Sequence, residues 1–180
     1  GYRQNGRFFT CYAQQNPKIN RLSEWRVNPS DPNTADPASE KVLLEVPRPF
    51  WNHNSGSLLF GPDGCLYFSV GDGGQRDNVA RLAQNLFAMN GKILRLNVDG
   101  QTGRRPYGIP DDNPFVKTAG AHPEIWCLGL RNPWGLSFDP DSGTFRALLK
   151  PIAACASLDS TISLDDRGNT PPPFEISSLL

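Results

Sequence analysis

Short apolar runs alternate with polar punctuation along the whole chain, and the alternation has the period of strands rather than helices. Gly6–Tyr12, Arg21–Val27 and Lys41–Val46 ("KVLLEV") each read as a strand. Between the last two lies "NPSDPNTADPASE", a polar loop broken by prolines. Ser57–Phe60 and Leu66–Val70 flank "GPDG", whose Pro-Asp-Gly favours a tight turn. "KILRLNV" runs into the hairpin-type pair Asp99-Gly100, and "RPYGIPDDNPFV" follows as a long irregular loop. "PEIWCLGL" and "GLSFDPDSGTF" close the pattern with further strands, and only Asn78–Gly91 has a helix-like spacing. After Phe145 the alternation stops. Residues 1–145 are therefore expected to form the folded unit, and 146–180, with three consecutive prolines, a loose or disordered tail.

One phrase occurs twice. "LLFGPDGCLY" and "LSFDPDSGTF" share an apolar residue two positions before a Phe, a Pro-Asp turn with a Gly and a following strand with an aromatic, 78 residues apart, with Asp99-Gly100 near the midpoint. A repeat of about 40 residues built from short antiparallel strands is the mark of a β-propeller blade. The expected fold is all-β, an arc of antiparallel propeller blades, about four at that period. A β-sandwich is the competing architecture. The start "GYRQNGRFF" and the altered end suggest an arc cut from a larger ring.

Composition narrows the partners. Formal net charge is zero and 38% of residues are hydrophobic, enough for a core and without the basic excess of a nucleic-acid binder. No run is long and apolar enough for a membrane span, and the chain opens without a signal peptide. The thiols Cys11, Cys65, Cys127 and Cys155 form no C-x-x-C pair, so disulfides and buried free thiols both stay open. "DPNTADP" and "PDDNP" lack the spacing and closing Glu of a calcium loop, and no metal-ligating set is assigned.

The segments "HNSGSLLFGPDGCLYFSVGDGG", "AQNLFAMNGKILRLNVDG", "PYGIPDDNPFV" and "PEIWCLGLRNPWGLSFDPDSG" together resemble the glucose/sorbosone dehydrogenase family. That family comprises soluble six-bladed propellers using pyrroloquinoline quinone (PQQ), with aldose sugar dehydrogenases and hedgehog-interacting-protein-like members. The resemblance implies an incomplete arc of a six-bladed propeller and PQQ-dependent oxidation of an aldose to its lactone. It also implies a sugar substrate, a separate electron acceptor and a periplasmic or extracellular setting. His53 matches the catalytic base and Asp72 the carboxylate beside it; Arg131 and Asn132 match residues that hold the quinone. Calcium belongs to the complete family fold, but its ligands are not present in this chain. Where the family continues into a calcium- and cofactor-binding segment, this chain has "TFRALLKPIAAC". Two other outcomes follow from the same residues: a non-catalytic propeller that binds a protein partner, and a truncated gene product without activity.

The residue types suit the chemistry. Oxidising an alcohol needs a base near neutrality, which imidazole supplies, and a carboxylate on its other nitrogen fixes the tautomer. A cofactor with three carboxylates suits a guanidinium. His53 precedes the first strand of the "GPDG" hairpin and Asp72 follows the second, so the hairpin brings both to its open end. The bland alternatives are a loop histidine, a turn aspartate and a surface arginine. His122 is expected to be structural, Trp126 and Trp134 to be core, and Lys92 and Arg95 to face solvent.

Overall fold

The structure, a computed structural model, describes residues 2–54, 56–74, 81–149 and 174–178. Among the described residues, a helical turn, α1 (Tyr2–Asn5), precedes eleven strands arranged in three sheets. The first sheet holds β1 (Arg7–Gln15), β2 (Lys18–Asn28) and β4 (Lys41–Pro47), with β3 (Asp31–Ala35) folded back on the end of β2. The second is a four-stranded antiparallel meander of β5 (Leu58–Phe60), β6 (Leu66–Val70), β7 (Lys92–Leu96) and β8 (Ile125–Cys127). The third pairs β9 (Pro133–Phe138) antiparallel with β10 (Phe145–Leu149), and β11 (Phe174–Ser178) runs parallel along the other side of β10.

These sheets are the blades of an arc, and their packing follows from the two-residue period of β6. Leu66, Phe68 and Val70 join Leu22, Leu44, Val46, Leu94 and Leu96 in the core shared with the first sheet. Cys65 and Tyr67 project the other way, into a core with Trp126 of β8 and with Phe145 and Ala147 of the third sheet. Both faces of the strand are thus buried, and burying one residue such as Phe68 is worth about 1.5–3 kcal/mol. Tyr67 stacks on Phe145 and meets Trp126 and Phe138 edge-on.

Several expectations change. The two Pro-Asp turns open successive sheets, β5–β6 and β9–β10, so their spacing is one blade and not two. The extra length lies in the loops β6–β7 and β7–β8, and the described residues form three blades where a shorter period suggested four. The polar stretch after β2 contains β3 and a 3-10 turn capped by Asp36. Within the helix-like segment, the described part holds only the 3-10 turn Leu82–Gln84. Lys92 and Arg95 are buried, not solvated, because both faces of β7 are covered. Trp126 is in the core as expected, whereas Trp134, at the start of an edge strand, is 62% exposed. Cys11, Cys65 and Cys127 are free thiols, and Cys155 lies outside the described residues. The expected tail also lies outside them, except for 146–149 in β10 and the backbone of β11, and its first residues are not loose: Ala147 is fully buried in the core beside Tyr67, and Arg146 stands 3.5 Å from Asp139.

Candidate active site

The candidate residues sit at the end of the second sheet where β6 finishes and β7 begins. The β4–β5 loop, carrying His53, lies directly on the tract Gly71–Gly74 that follows β6. A Cβ on Gly71 would stand 1.9 Å from the carbonyl oxygen of His53, and one on Gly74 1.8 Å from Oδ1 of Asn52. Only glycine permits so close an approach, which is the physical content of "VGDGG". The loop is tied down from behind. The buried Arg48 donates to Gln14 O and Asn54 Oδ1, while Asn20 and Asn90 side chains donate to the carbonyls of Asn54 and Pro47.

His53 has φ 53°, a left-handed conformation that costs a residue with a Cβ about 1–2 kcal/mol. In that conformation its Nδ1 lies 2.7 Å from Oδ1 of Asp72. The Asp72 side chain is 2% exposed and that of His53 17%. Asp72 Oδ1 also accepts the Gly74 N–H at 2.9 Å, and Oδ2 stands 3.6 Å from Nη1 of Arg131. A buried carboxylate needs such partners to remain charged. The backbone closes the arrangement, because the Asp72 N–H donates to the Arg131 carbonyl at 2.8 Å. Asn132 is drawn in as well, its Oδ1 3.2 Å from where a Gly71 Cβ would be.

His53, Asp72, Arg131 and Asn132 therefore meet at one place although they come from three loops. With Nδ1 hydrogen-bonded to Asp72, Nε2 is the nitrogen left to exchange a proton, and an imidazole so oriented is suited to act as a base. His122 lies elsewhere, 3.8 Å from the buried Glu124. Asp112 and Asn113 of "PDDNP" bind Arg95. Among the described residues no three His, Cys, Asp or Glu side chains converge as a metal set. Lys92 was hidden from the pattern. In "KILRL" it reads as the polar partner of an alternating strand, yet its ammonium is fully buried beneath the site.

The model of the glucose / sorbosone dehydrogenase family matches residues 1–147. The chain belongs to this family. Among its relatives is the HIPL1 protein of Arabidopsis thaliana, 43% identical over 123 residues, 62% of this chain and 17% of the relative. Human Hedgehog-interacting protein is 32% identical over 146 residues, 77% of this chain and 21% of its own length. A solved PQQ-bound aldose sugar dehydrogenase from Streptomyces coelicolor superposes with a TM-score of 0.63 at 25% identity, covering 81% of this chain and 38% of that one. The chain thus spans about a fifth of these curated relatives and about two fifths of that enzyme. The blades of this family member correspond to part of a propeller.

The residues present fit part of a tricarboxylate quinone. Arg131 offers a guanidinium beside the buried Asp72 and Asn132 a carboxamide, the donor types that acidic and carbonyl oxygens require.

Proposed function

We propose that this chain carries the base and part of the cofactor cradle of a PQQ-dependent aldose dehydrogenase. The observation that supports this most is the 2.7 Å contact between His53 Nδ1 and a nearly buried Asp72. His53 Nε2 takes the proton of the sugar hydroxyl as the carbon–oxygen bond becomes a carbonyl. Asp72 holds the tautomer and stabilises the imidazolium that forms. PQQ, when bound, supplies the two-electron acceptor for the hydride leaving the carbon. Arg131 and Asn132 would hold its carboxylate and carbonyl oxygens. The substrate class is an aldose, oxidised to its lactone, in a periplasmic or extracellular setting.

In the intact protein, His53→Ala is expected to abolish dye-linked sugar oxidation and to leave quinone affinity largely intact. Arg131→Ala is expected to weaken PQQ binding more than about tenfold, since losing one partner of a desolvated charge pair costs about 2–5 kcal/mol. Normal turnover by His53→Ala overturns the catalytic assignment. The likeness to Hedgehog-interacting protein over 77% of the chain favours a second reading, a propeller module that binds a protein partner. PQQ titration separates the two, because the binding module needs no quinone affinity.

A further inference from the structure

Lys92 is the first residue of β7, and its side chain is 0% exposed. Among the described residues it makes no ion pair with a carboxylate. Its three N–H donors go instead to three backbone carbonyls: Leu82 at 2.8 Å, Ala83 at 2.9 Å and Asn90 at 2.8 Å. An ammonium has three protons, and here each has an acceptor.

Those acceptors are not scattered. The Ala83 carbonyl also receives the Gly129 N–H at 2.8 Å, two residues before Arg131. Asn90 leads into Gly91, whose N–H donates to Gly71 O beside Asp72 and whose carbonyl receives the Leu130 N–H beside Arg131. A Cβ on Gly91 would stand 2.6 Å from both Ala83 Cα and Leu130 O, so the turn 82–84 and the segment 129–131 are in contact through this point. The two loops that present Asp72 and Arg131 therefore hang from backbone that one ammonium gathers.

We propose that Lys92 is a positioning residue for the site: its ammonium clasps the carbonyls of Leu82, Ala83 and Asn90, and so holds Arg131–Asn132 in register with Asp72. The proposal rests on placing the quinone and sugar site at His53, Asp72, Arg131 and Asn132. Burial pushes the ammonium down to about 7. The clasp is then charged in mild acid and loses a donor as pH rises through that range. The titratable or charged groups on the surrounding segments are Asp72 after β6, Arg81 before the 3-10 turn, Cys127 on β8 and Arg131 beyond it, with His53 bonded to Asp72.

Two measurements test this in the intact protein. In the first, the Lys92 side-chain resonances are followed against pH by NMR. Lys92 is expected to titrate near 7, and the amide signals of Gly91, Gly129 and Asp72 to move with the same midpoint. Amides that do not follow the Lys92 titration, wherever its midpoint falls, overturn the proposal. The second is a PQQ titration across pH for the wild type, Lys92→Met and His53→Gln. Leu82 O keeps the Asn85 N–H and Ala83 O keeps the Gly129 N–H, so Lys92→Met removes a donor without stripping these two carbonyls. Its affinity is expected to be about tenfold weaker in mild acid and flat with pH, as a misplaced binding group would be. The wild type and His53→Gln should approach that value as pH rises. A Lys92→Met protein that is merely less stable, with wild-type affinity and pH profile, overturns the proposal. Sugar oxidation surviving in His53→Ala would defeat the catalytic reading and leave the lysine titration standing.

Discussion

The two ends of the β5–β8 sheet treat buried charge in opposite ways. At the end away from His53, Arg95 is enclosed by Asp63 and Asp112, at 2.7 and 2.6 Å, donates to Asn113 Oδ1 and lies 4.9 Å from the Trp126 ring centre. Asp63 is itself held by the Cys65 N–H and the Tyr67 hydroxyl. Short, saturated contacts make that end a brace. At the other end the Asp72–Arg131 separation is 3.6 Å, the histidine is left-handed, and two loops touch through glycine. Long ion pairs and strained backbone contribute little to stability; they leave groups poised for something else. What separates the two ends is the length of the arginine–aspartate contact and the conformation of the backbone, since Asp72 itself keeps short contacts to His53 and Gly74.

The sharpest way to break that contrast is to remove one arginine from each end. Arg95→Ala should cost about 3 kcal/mol in urea unfolding, toward the low end for a broken buried pair because Asp112 can turn to water. Arg131→Ala should cost less, about 1–2 kcal/mol, because the buried Asp72 keeps its shorter contacts to His53 and the Gly74 N–H. Equal losses would erase the distinction. The glycines give the next largest difference. Gly71→Ala forces a methyl into the His53 carbonyl and should destabilise by about 3 kcal/mol, as overpacking does. Gly64→Ala, with nothing within 4 Å of the added carbon but φ +77°, should cost about 1 kcal/mol from backbone strain alone. Thermal unfolding of the pair checks this.

The smallest effect is in acid. Burial pushes the Asp63 carboxyl up, but the Cys65 N–H, Arg95 and Tyr67 outweigh it and hold it below its ordinary value. A carboxyl depressed in the folded state contributes stability above the unfolded value of about 3.9, and that contribution is lost as pH falls through the folded one. Stability should therefore decline below about pH 4, and the decline should be shallower in Asp63→Asn. An unchanged slope in that variant would place the acid response elsewhere.

The strands were legible because their side chains alternate, and the hairpin logic that brings His53 and Asp72 together needed only "GPDG" and the position of each residue beside a strand. Arg131 and Asn132 were legible through the resemblance of "LRNPWG" and not through any periodicity. What the pattern hid is governed by long-range contacts. Lys92 and Arg95 look like the polar half of an amphipathic strand, but a central blade strand is covered on both sides, so the apparent solvent face is a second interior. The blade period was misjudged because the β6–β7 and β7–β8 loops are long, and loop length leaves no periodic trace. Trp134 looked like core because tryptophan usually is, and it lies at the start of an edge strand instead.

Ser69 fixes a dimension of the site. Its hydroxyl, fully buried in β6, donates to Pro133 O at 3.1 Å and accepts the Ser57 N–H at 2.9 Å, pinning the start of β9 to the second sheet. Leu130 is pinned as well, through Gly91 O at 3.0 Å. The stretch between these two pins is Arg131-Asn132. Any insertion or deletion between those pins has to be absorbed by these two residues, and so shifts the guanidinium relative to Asp72.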